Sequence, residues 1–202
     1  DITLLHAVGI RPIVVHGGGP QANALSEQLV WKPQIVEGRR VTGEKDLDVA
    51  KMVFAGKINV EILSTLSACG TKAVGLSGVD AGILKTKKRN PTMVKDPATG
   101  KEREVDYGLV GDVVAVDPSL ILDLVEKRYI PVIASLGADS EGGILNVNAD
   151  TVGGEIARSV KASKYVSLTD VDGVYGADKK LISTLTVAQA ELEMARGTIS
   201  DG

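Results

Sequence analysis

The feature of this sequence that most constrains its fold is the alternation of short aliphatic runs with segments of helical spacing. The aliphatic runs predict strands at 13–15, 72–76, 110–116, 130–135 and 165–168. Helical spacing is found at 2–8, 21–29, 45–69, 118–128, 150–160 and 186–194. Because strands joined by crossover helices run parallel and bury both faces of their sheet, the pattern predicts an α/β fold: a three-layer αβα sandwich with a mainly parallel central sheet.

The composition agrees with this fold and excludes several classes of protein. Of the 202 residues, 44% are hydrophobic and 3% aromatic, so the predicted core is aliphatic. The net charge of −3 gives no support for a nucleic-acid partner, and no apolar run approaches the ~18 residues of a membrane helix. One cysteine and two histidines build neither a disulfide framework nor a zinc site of the usual kind. We therefore expect a cytoplasmic protein without a nucleic-acid or membrane partner.

Some segments depart from the alternation. Hairpins are predicted at three places: between 34–36 and 40–42, over 85–107, and over 142–147. The second of these contains a basic run at 85–90 and a turn at 96–100. The hairpin at 85–107 is expected to project from the edge of the sheet. In the helical segment 45–69, Gly56 is expected to separate two helices. Cys69 lies on the apolar stripe of that segment, so we expect it in the core.

Ligands of parallel α/β sheets bind at the carboxyl ends of strands, and one such end carries three glycines. Gly17, Gly18 and Gly19 follow a buried strand and precede a helix, where backbone N–H groups suit phosphate or carboxylate oxygens. A tight turn that requires glycine for its dihedral angles is the alternative. The segment is neither a Walker A loop nor a dinucleotide fingerprint.

Polar residues follow other predicted strands. Arg40 could grip a carboxylate with two parallel hydrogen bonds, or be a solvated surface arginine. In an extended run, Asn146, Asn148 and Asp150 would face the same way, although Asp150 could instead cap the next helix. The segment 169–175 is either a plain turn or a polar rim for a nucleotide. Neither histidine has a cysteine or carboxylate at ligand spacing.

In this order, the segments resemble the amino acid kinase family. The resemblance covers essentially the whole chain and rests on VVHGGGPQ at 14–21, GRRVT at 38–42, GLSG at 75–78, NVNAD at 146–150 and LTDVDG at 168–173. Within the family, the arginine and asparagine segments resemble the member that phosphorylates N-acetyl-L-glutamate. The resemblance implies a phosphotransferase that moves the γ-phosphoryl group of ATP to the side-chain carboxylate of that acceptor, in arginine biosynthesis, with Mg²⁺ carried by the nucleotide phosphates.

The resemblance also implies roles for individual residues. Gly18 and Gly19 would hold the transferred phosphoryl group and the substrate carboxylate, and Gly18 is a catalytic candidate. Arg40 and Asn146 would bind the α-carboxylate region of the acceptor, and Asp150 would orient the catalytic lysines. The nucleotide site would be lined by Asp170, Val171, Asp172, Gly173, Val174, Tyr175, Thr198, Ile199 and Ser200. No residue is expected to be a dedicated metal ligand.

The domain organisation follows from the same resemblance. One kinase domain would contain an acceptor lobe at 1–145 and an incomplete nucleotide lobe at 146–202. The family carries one lysine on an earlier strand and another just after the Asp-Gly at 201–202, so we expect residues 1–202 alone to be inactive. The resemblance further implies a homodimer or a hexamer, and a nitrogen-signalling partner.

Two alternatives remain. A sister kinase would use glutamate, aspartate, carbamate, UMP or a carrier-bound aminoadipate as the acceptor. A non-catalytic module would sense arginine or dock a regulatory protein. The kinase hypothesis requires the glycine turn, Arg40, Asn146 and Asp150 to converge on one crevice.

Overall fold

The computed structural model describes residues 1–31, 34–36, 39–95, 101–169 and 171–199. The chain forms two compact units, Asp1–Tyr165 and Val166–Gly202. The helices of the first unit are α1 (Ile2–Ala7), α2 (Gly19–Gln28), α3 (Glu44–Ala50), α4 (Asn59–Ala68), α5 (Ser119–Glu126) and α6 (Ala149–Ser159). A π-helical segment, Lys51–Ile58, joins α3 to α4, and Asp80–Gly82 forms a 3-10 turn.

The strands of the first unit form two larger sheets and two short hairpins. They are β1 (Val14–His16), β2 (Ile35–Val36), β3 (Arg39–Arg40), β4 (Ala73–Ser77), β5 (Leu84–Lys88), β6 (Thr92–Lys95), β7 (Glu102–Val105), β8 (Gly111–Val116), β9 (Ile130–Ala134), β10 (Leu136–Ala138) and β11 (Ile144–Asn146). β2 pairs with β3 and β6 with β7, both antiparallel.

The central sheet is parallel, in the order β1-β9-β4. Its middle strand, β9, is buried throughout, and successive side chains point to opposite faces. Ile130 and Val132 pack in the cluster that contains Leu66 of α4. Ile133 packs on the other face, in the cluster that contains Ile121 of α5 and Ile156 of α6. Helices therefore cover both faces, and the predicted three-layer α/β sandwich is confirmed.

A second, mixed sheet has the order β11-β10-β5-β8 and continues from β9 through Ser135 into β10. The β6–β7 hairpin confirms part of the prediction for 85–107, and its turn at 96–100 lies outside the described residues. The basic run was wrongly predicted to project, because β5 is an interior strand between β10 and β8. Leu84 and Thr86 are buried and alternate with the exposed Lys85 and Lys87, so these two lysines lie on one face of a sheet strand.

Two expectations for the segment 45–69 are wrong. The backbone stays in right-handed helical conformation where α3, the π-helical segment and α4 join, so Gly56 does not separate two helices. A glycine in a helix costs about 1 kcal/mol, and burial of the neighbouring Val53 and Phe54 outweighs that cost. Cys69 is exposed rather than buried, because α4 ends at Ala68 and Cys69 follows it as the C-cap.

Over 166–169 and 171–199, the described part of the second unit, the chain forms a small turn structure and one helix. Tyr175 and Leu181 form an antiparallel bridge, and α7 (Val187–Ala195) begins after Thr186, whose side chain accepts a hydrogen bond from the Gln189 N–H. The strand predicted at 165–168 does not form, because no described segment pairs with it. The lobe boundary between 145 and 146 stays a prediction. Among the described residues, no helix has both the length and the apolar character needed to cross a membrane.

Candidate active site

The glycine turn lies at the carboxyl end of β1, at the start of α2. Gly18 is the N-cap of α2, and Gly19 is its first residue. A Cβ on Gly18 would collide with Ile58 and lie 2.8 Å from Cδ1 of Phe54, whereas nothing lies within 4 Å of a Cβ on Gly19. The backbone at Gly18 is therefore pressed against the π-helical segment. The first N–H groups of α2 have no intrahelical acceptor and form its positive end, as an anion site requires.

The glycine turn touches the start of α6. A Cβ built on Gly17 would lie 3.2 Å from Cβ of Ala149, the first residue of that helix. The cap of α6 is Asn148, whose Oδ1 accepts a 2.9 Å hydrogen bond from the Thr151 N–H. Asp150 is therefore not the cap, but an exposed residue of the first helical turn. Because the helix begins at Ala149, the strand alternation that was expected to align Asn146 with Asp150 ends before it reaches Asp150.

Asn146 joins the same region to the segment that follows Arg40. Its amide Nδ2 donates to Oγ1 of Thr42 over 3.3 Å, and Thr42 is fully buried. The backbone supports this contact, because the N–H groups of Leu109 and Asn146 donate to the carbonyls of Thr42 and Leu109. The structure thus brings together the glycine turn, the start of α6, Asn146 and Thr42.

Arg40 lies in β3, and its side chain is outside the described part of the structure. The second strand of this hairpin is Arg39–Arg40 rather than the predicted 40–42. The reason is that Thr42 leaves the hairpin and bridges to Gly108 in parallel orientation. A Cβ on Gly108 would collide with the carbonyl of Thr42, and the φ of +73° at Gly108 also favours glycine. The backbone of Arg40 therefore lies two residues before the Thr42–Asn146 contact.

A partly buried hydrogen-bond network, formed by His16 and Asn59, contacts the glycine turn. His16 Nδ1 lies 2.9 Å from the Gly17 carbonyl oxygen, and His16 Nε2 lies 3.2 Å from the amide Nδ2 of Asn59. Asn59 is 3% exposed and also donates to the carbonyls of Leu76 and Val132, over 3.2 and 3.0 Å. Burial lowers the pKa of His16, against a smaller opposite effect of the hydrogen bond to Gly17, so the ring is neutral at pH 7.

Sequence reasoning missed this network. It assigned no role to His16 and treated 45–69 as a segment of helical spacing in which Gly56 separates two helices. The available signal was a polar residue on an apolar stripe, because Asn59, Ile62 and Leu66 follow helical spacing and lie on the same side of α4. A buried asparagine needs hydrogen-bond partners, and its position facing the sheet made backbone carbonyls and His16 available.

The carboxyl end of β4 leads into a turn that is held by local hydrogen bonds. The Asp80 carboxylate accepts hydrogen bonds from the N–H and the hydroxyl of Ser77, over 2.6 and 2.7 Å. The N–H of Gly78 donates to the Ala134 carbonyl, and a Cβ on Gly78 would collide with Leu84. This end of the sheet is therefore a packed turn, and Gly78 allows β4 to stay beside β9.

The residues expected at the nucleotide belong to the second unit. Tyr175 lies in its turn structure, and the Tyr175 hydroxyl donates to Asp172 over 3.3 Å. Thr198 follows α7, and its N–H donates to the Glu193 carbonyl over 3.0 Å. The remaining described members of this set are Val171, Gly173, Val174 and Ile199. Asp170 and Ser200 lie outside the described residues. Within the described ranges, no group of three or more histidine, cysteine or acidic side chains could hold a metal ion.

A parallel αβα sandwich with a glycine turn and a polar cluster at its strand ends agrees with the result of a family comparison. The whole chain, residues 1–202, matches the amino acid kinase family. The chain belongs to that family.

Comparison with individual proteins is more specific than the family match. The chain is 47% identical to an acetylglutamate kinase of Methanococcus maripaludis, over all of this chain and 69% of that protein. It is 46% identical to an acetylglutamate kinase of Methanothermobacter thermautotrophicus, over 86% of this chain and 59% of that protein. Among solved structures, smu.665 from Streptococcus mutans superposes with a TM-score of 0.79 at 26% identity, over all of this chain and 76% of the other. The chain thus spans about three fifths to two thirds of the curated relatives' length.

Proposed function

We propose that this chain is the core of an acetylglutamate kinase, which transfers the γ-phosphoryl group of ATP to the side-chain carboxylate of N-acetyl-L-glutamate. Relatives of that name share 47% and 46% of its residues in the aligned regions. The observation that carries the proposal is the contact of the glycine turn with the start of α6, in the region where Asn146 meets Thr42. The glycine turn after β1 and the Asn146 amide of β11 thus lie on either side of the start of α6, although the two strands belong to different sheets.

The glycine turn would stabilise the moving phosphoryl group. Backbone N–H groups at Gly18 and Gly19 are fixed donors at the positive end of α2, and fixed donors act most strongly on charge that develops in the transition state. Gly19 leaves open space for phosphoryl oxygens, since no atom lies within 4 Å of the position that a Cβ would take there. The close packing at Gly18 keeps that part of the backbone rigid.

Asn146 and Arg40 would bind the acceptor. The Asn146 amide is oriented by Thr42, and the backbone of Arg40 lies two residues from that contact. An amide and a guanidinium both recognise carboxylate or amide oxygens. Asp150, exposed in the first turn of α6, would orient the lysine side chains that the chemistry requires.

The reaction needs no general base, which agrees with these residues. The nucleophile is a carboxylate with an ordinary pKa of about 4.3, so it is ionised at neutral pH. Phosphoryl transfer then depends mainly on in-line positioning and on charge stabilisation. Mg²⁺ bound to ATP would neutralise phosphate charge and travel with the nucleotide, which requires few protein ligands.

The nucleotide would bind to a lobe formed by 146–202, and the acceptor to a lobe formed by 1–145. In this assignment, residues 170–175 and 198–200 line the nucleotide. The hydrogen bond from Tyr175 to Asp172 supports it, because this bond gives the turn a defined polar surface. A homodimer is the assembly that we propose for the complete protein.

A comparison of acceptors tests the proposed function. The complete gene product that contains these 202 residues is incubated with ATP, Mg²⁺ and each acceptor in turn, and phosphoryl transfer is measured as acceptor-dependent release of ADP. With N-acetyl-L-glutamate, the acyl phosphate is also trapped with hydroxylamine. We expect turnover with this acceptor to exceed turnover with glutamate, aspartate, carbamate and UMP. Preference for one of those acceptors would indicate a sister kinase. Absence of both turnover and ATP binding would indicate a non-catalytic module.

A further inference from the structure

The network beneath the glycine turn fixes which ring nitrogen of His16 carries the proton. A carbonyl oxygen can only accept, so the 2.9 Å contact with Gly17 requires a proton on Nδ1. An amide NH₂ group can only donate, so the 3.2 Å contact with Asn59 requires a lone pair on Nε2.

The orientation of the Asn59 amide is itself determined by its surroundings. Its Nδ2 also lies 3.2 Å from the Leu76 carbonyl oxygen and 3.0 Å from the Val132 carbonyl oxygen, so its two N–H groups are shared among these two acceptors and Nε2 of His16. Reversing the amide would place an oxygen against two carbonyl oxygens. The strands β4 and β9 thus orient Asn59, and Asn59 in turn selects the neutral Nδ1–H form of His16.

This tautomer has a consequence for the peptide between Gly17 and Gly18. In a planar trans peptide, the carbonyl and the following N–H point in opposite directions. When His16 holds the Gly17 carbonyl, it also directs the Gly18 N–H away from the imidazole. The packing against Ile58 and Phe54 restricts Gly18, whereas Gly17 has no side chain to restrict the carbonyl side of this peptide, so a hydrogen bond from His16 is an effective way to hold it.

We infer that His16 is a positioning residue for phosphoryl transfer: held as the Nδ1–H tautomer by Asn59, it aims the Gly18 N–H at the transferred phosphoryl group. The inference rests on the proposed function for the identity of the group that this N–H meets. Asn59 acts one step further away, through His16. Neither side chain is assigned a contact with substrate.

The tautomer can be measured without an activity assay. In the complete protein labelled with ¹⁵N-histidine, two-bond couplings to the ring protons identify the protonated nitrogen. His6 is the other histidine of the 202 residues, and its Nε2 lies 3.1 Å from the Arg128 carbonyl, so His6→Gln simplifies the spectrum. We expect His16 to be neutral and protonated on Nδ1 at neutral pH. Protonation on Nε2 would overturn the inference.

Kinetic measurements test the positioning role. His16→Leu removes the hydrogen bond to the Gly17 carbonyl. We expect kcat to fall about tenfold to a hundredfold, because a misdirected Gly18 N–H would no longer stabilise the charge that develops in the transition state. The KM values for both substrates should stay within about threefold. His16→Asn keeps an amide donor near the place of Nδ1 and should recover most of the kcat. His6→Gln is the matched control and should behave as wild type.

The outcomes separate the inference from the proposed function. If wild type phosphorylates N-acetyl-L-glutamate but His16→Leu keeps a kcat within about twofold of His6→Gln, the positioning role is wrong. Equal loss in His16→Leu and His16→Asn would also contradict it. A wild-type protein with the Nδ1–H tautomer but without any phosphoryl transfer would refute the proposed function, and with it the catalytic part of this inference. Because the tautomer is measured in the protein with His16 intact, misfolding of a His16 variant does not affect that test.

Discussion

Asn146 donates a hydrogen bond from its side-chain amide to the buried hydroxyl of Thr42, 104 residues earlier in the chain. This contact connects the segment after the β2–β3 hairpin to the strand that leads into α6. It also explains how the segments that contain Thr42 and Asn146, far apart in the sequence, come to lie side by side. Thr42 has no proposed contact with the acceptor, so its hydroxyl can be removed to test how Asn146 is oriented.

The first prediction concerns this hydrogen bond. Thr42→Val keeps the shape of the side chain but removes the hydroxyl that accepts from Asn146 over 3.3 Å. We expect the KM for N-acetyl-L-glutamate to rise about fivefold to tenfold, as the loss of a hydrogen bond of about 1 kcal/mol implies. The KM for ATP should stay constant. Steady-state kinetics with each substrate varied in turn measures both values.

Thr42→Ser is the matched control, since it keeps the hydroxyl and removes one methyl group. We expect its KM for the acceptor to remain close to that of wild type. If Thr42→Val and Thr42→Ser raise this KM equally, the methyl group rather than the hydrogen bond is responsible, and the proposed orientation of Asn146 is wrong.

The second prediction compares two adjacent glycines. Gly18→Ala places a Cβ within 2.8 Å of Phe54 and in collision with Ile58, whereas Gly19→Ala meets no atom within 4 Å. Overpacking of this kind costs about 1–3 kcal/mol. We expect the free energy of unfolding in urea to fall by that amount for Gly18→Ala and by much less for Gly19→Ala. Equal stability of the two variants would show that the π-helical segment can shift away from the turn.

The sequence predicted those parts of the fold that depend on local pattern. The aliphatic run at 130–135 and the helical spacing at 118–128 correspond to β9 and α5, because a buried parallel strand and an amphipathic helix have distinct periodicities. The basic run at 85–90 was misjudged for a related reason. Lys85 and Lys87 flank the buried Thr86, but the number of basic residues suggested an exposed edge and concealed this period of two.

The candidate site was only partly predictable. The glycine turn and the segment that contains Asn146 are marked by composition at strand ends, so both could be found. Asn59 could be recognised as a polar residue on an apolar stripe, but its partners could not be predicted, because the Leu76 and Val132 carbonyls are backbone groups that any sequence would supply. The strand predicted at 165–168 shows the same limit, since a strand is defined by its pairing partner as much as by its own residues.

The third prediction concerns pH. Burial lowers the pKa of His16 below its ordinary value of 6.5, so the unfolded chain binds a proton more readily than the folded protein. The resulting contribution to stability is present above pH 6.5 and is lost as the pH falls through the folded pKa. Across that window, the free energy of unfolding should decrease more steeply for wild type than for His16→Asn, by at most about 1.4 kcal/mol per pH unit.

Urea unfolding of both proteins between about pH 7.5 and pH 5 provides this comparison. All other titrating groups are common to the two proteins, so the difference in slope belongs to position 16. Parallel curves, or a wild-type protein that is stabilised relative to His16→Asn as the pH falls, would contradict the assignment of a half-buried neutral imidazole.

The fourth prediction uses a buried hydroxyl in β5. Thr86 is 5% exposed, and its Oγ1 has no hydrogen-bond partner in the described part of the chain. A buried, unpaired polar group costs about 1–3 kcal/mol, and valine has the same shape without that cost. We therefore expect Thr86→Val to raise the free energy of unfolding by about 1 kcal/mol.

Thr42→Val makes the same chemical change at a hydroxyl that accepts a hydrogen bond, and should lower the free energy of unfolding by a similar amount. Chemical denaturation of both variants measures the two changes, and a Thr86→Val protein that is less stable than wild type would show that the hydroxyl is bonded after all.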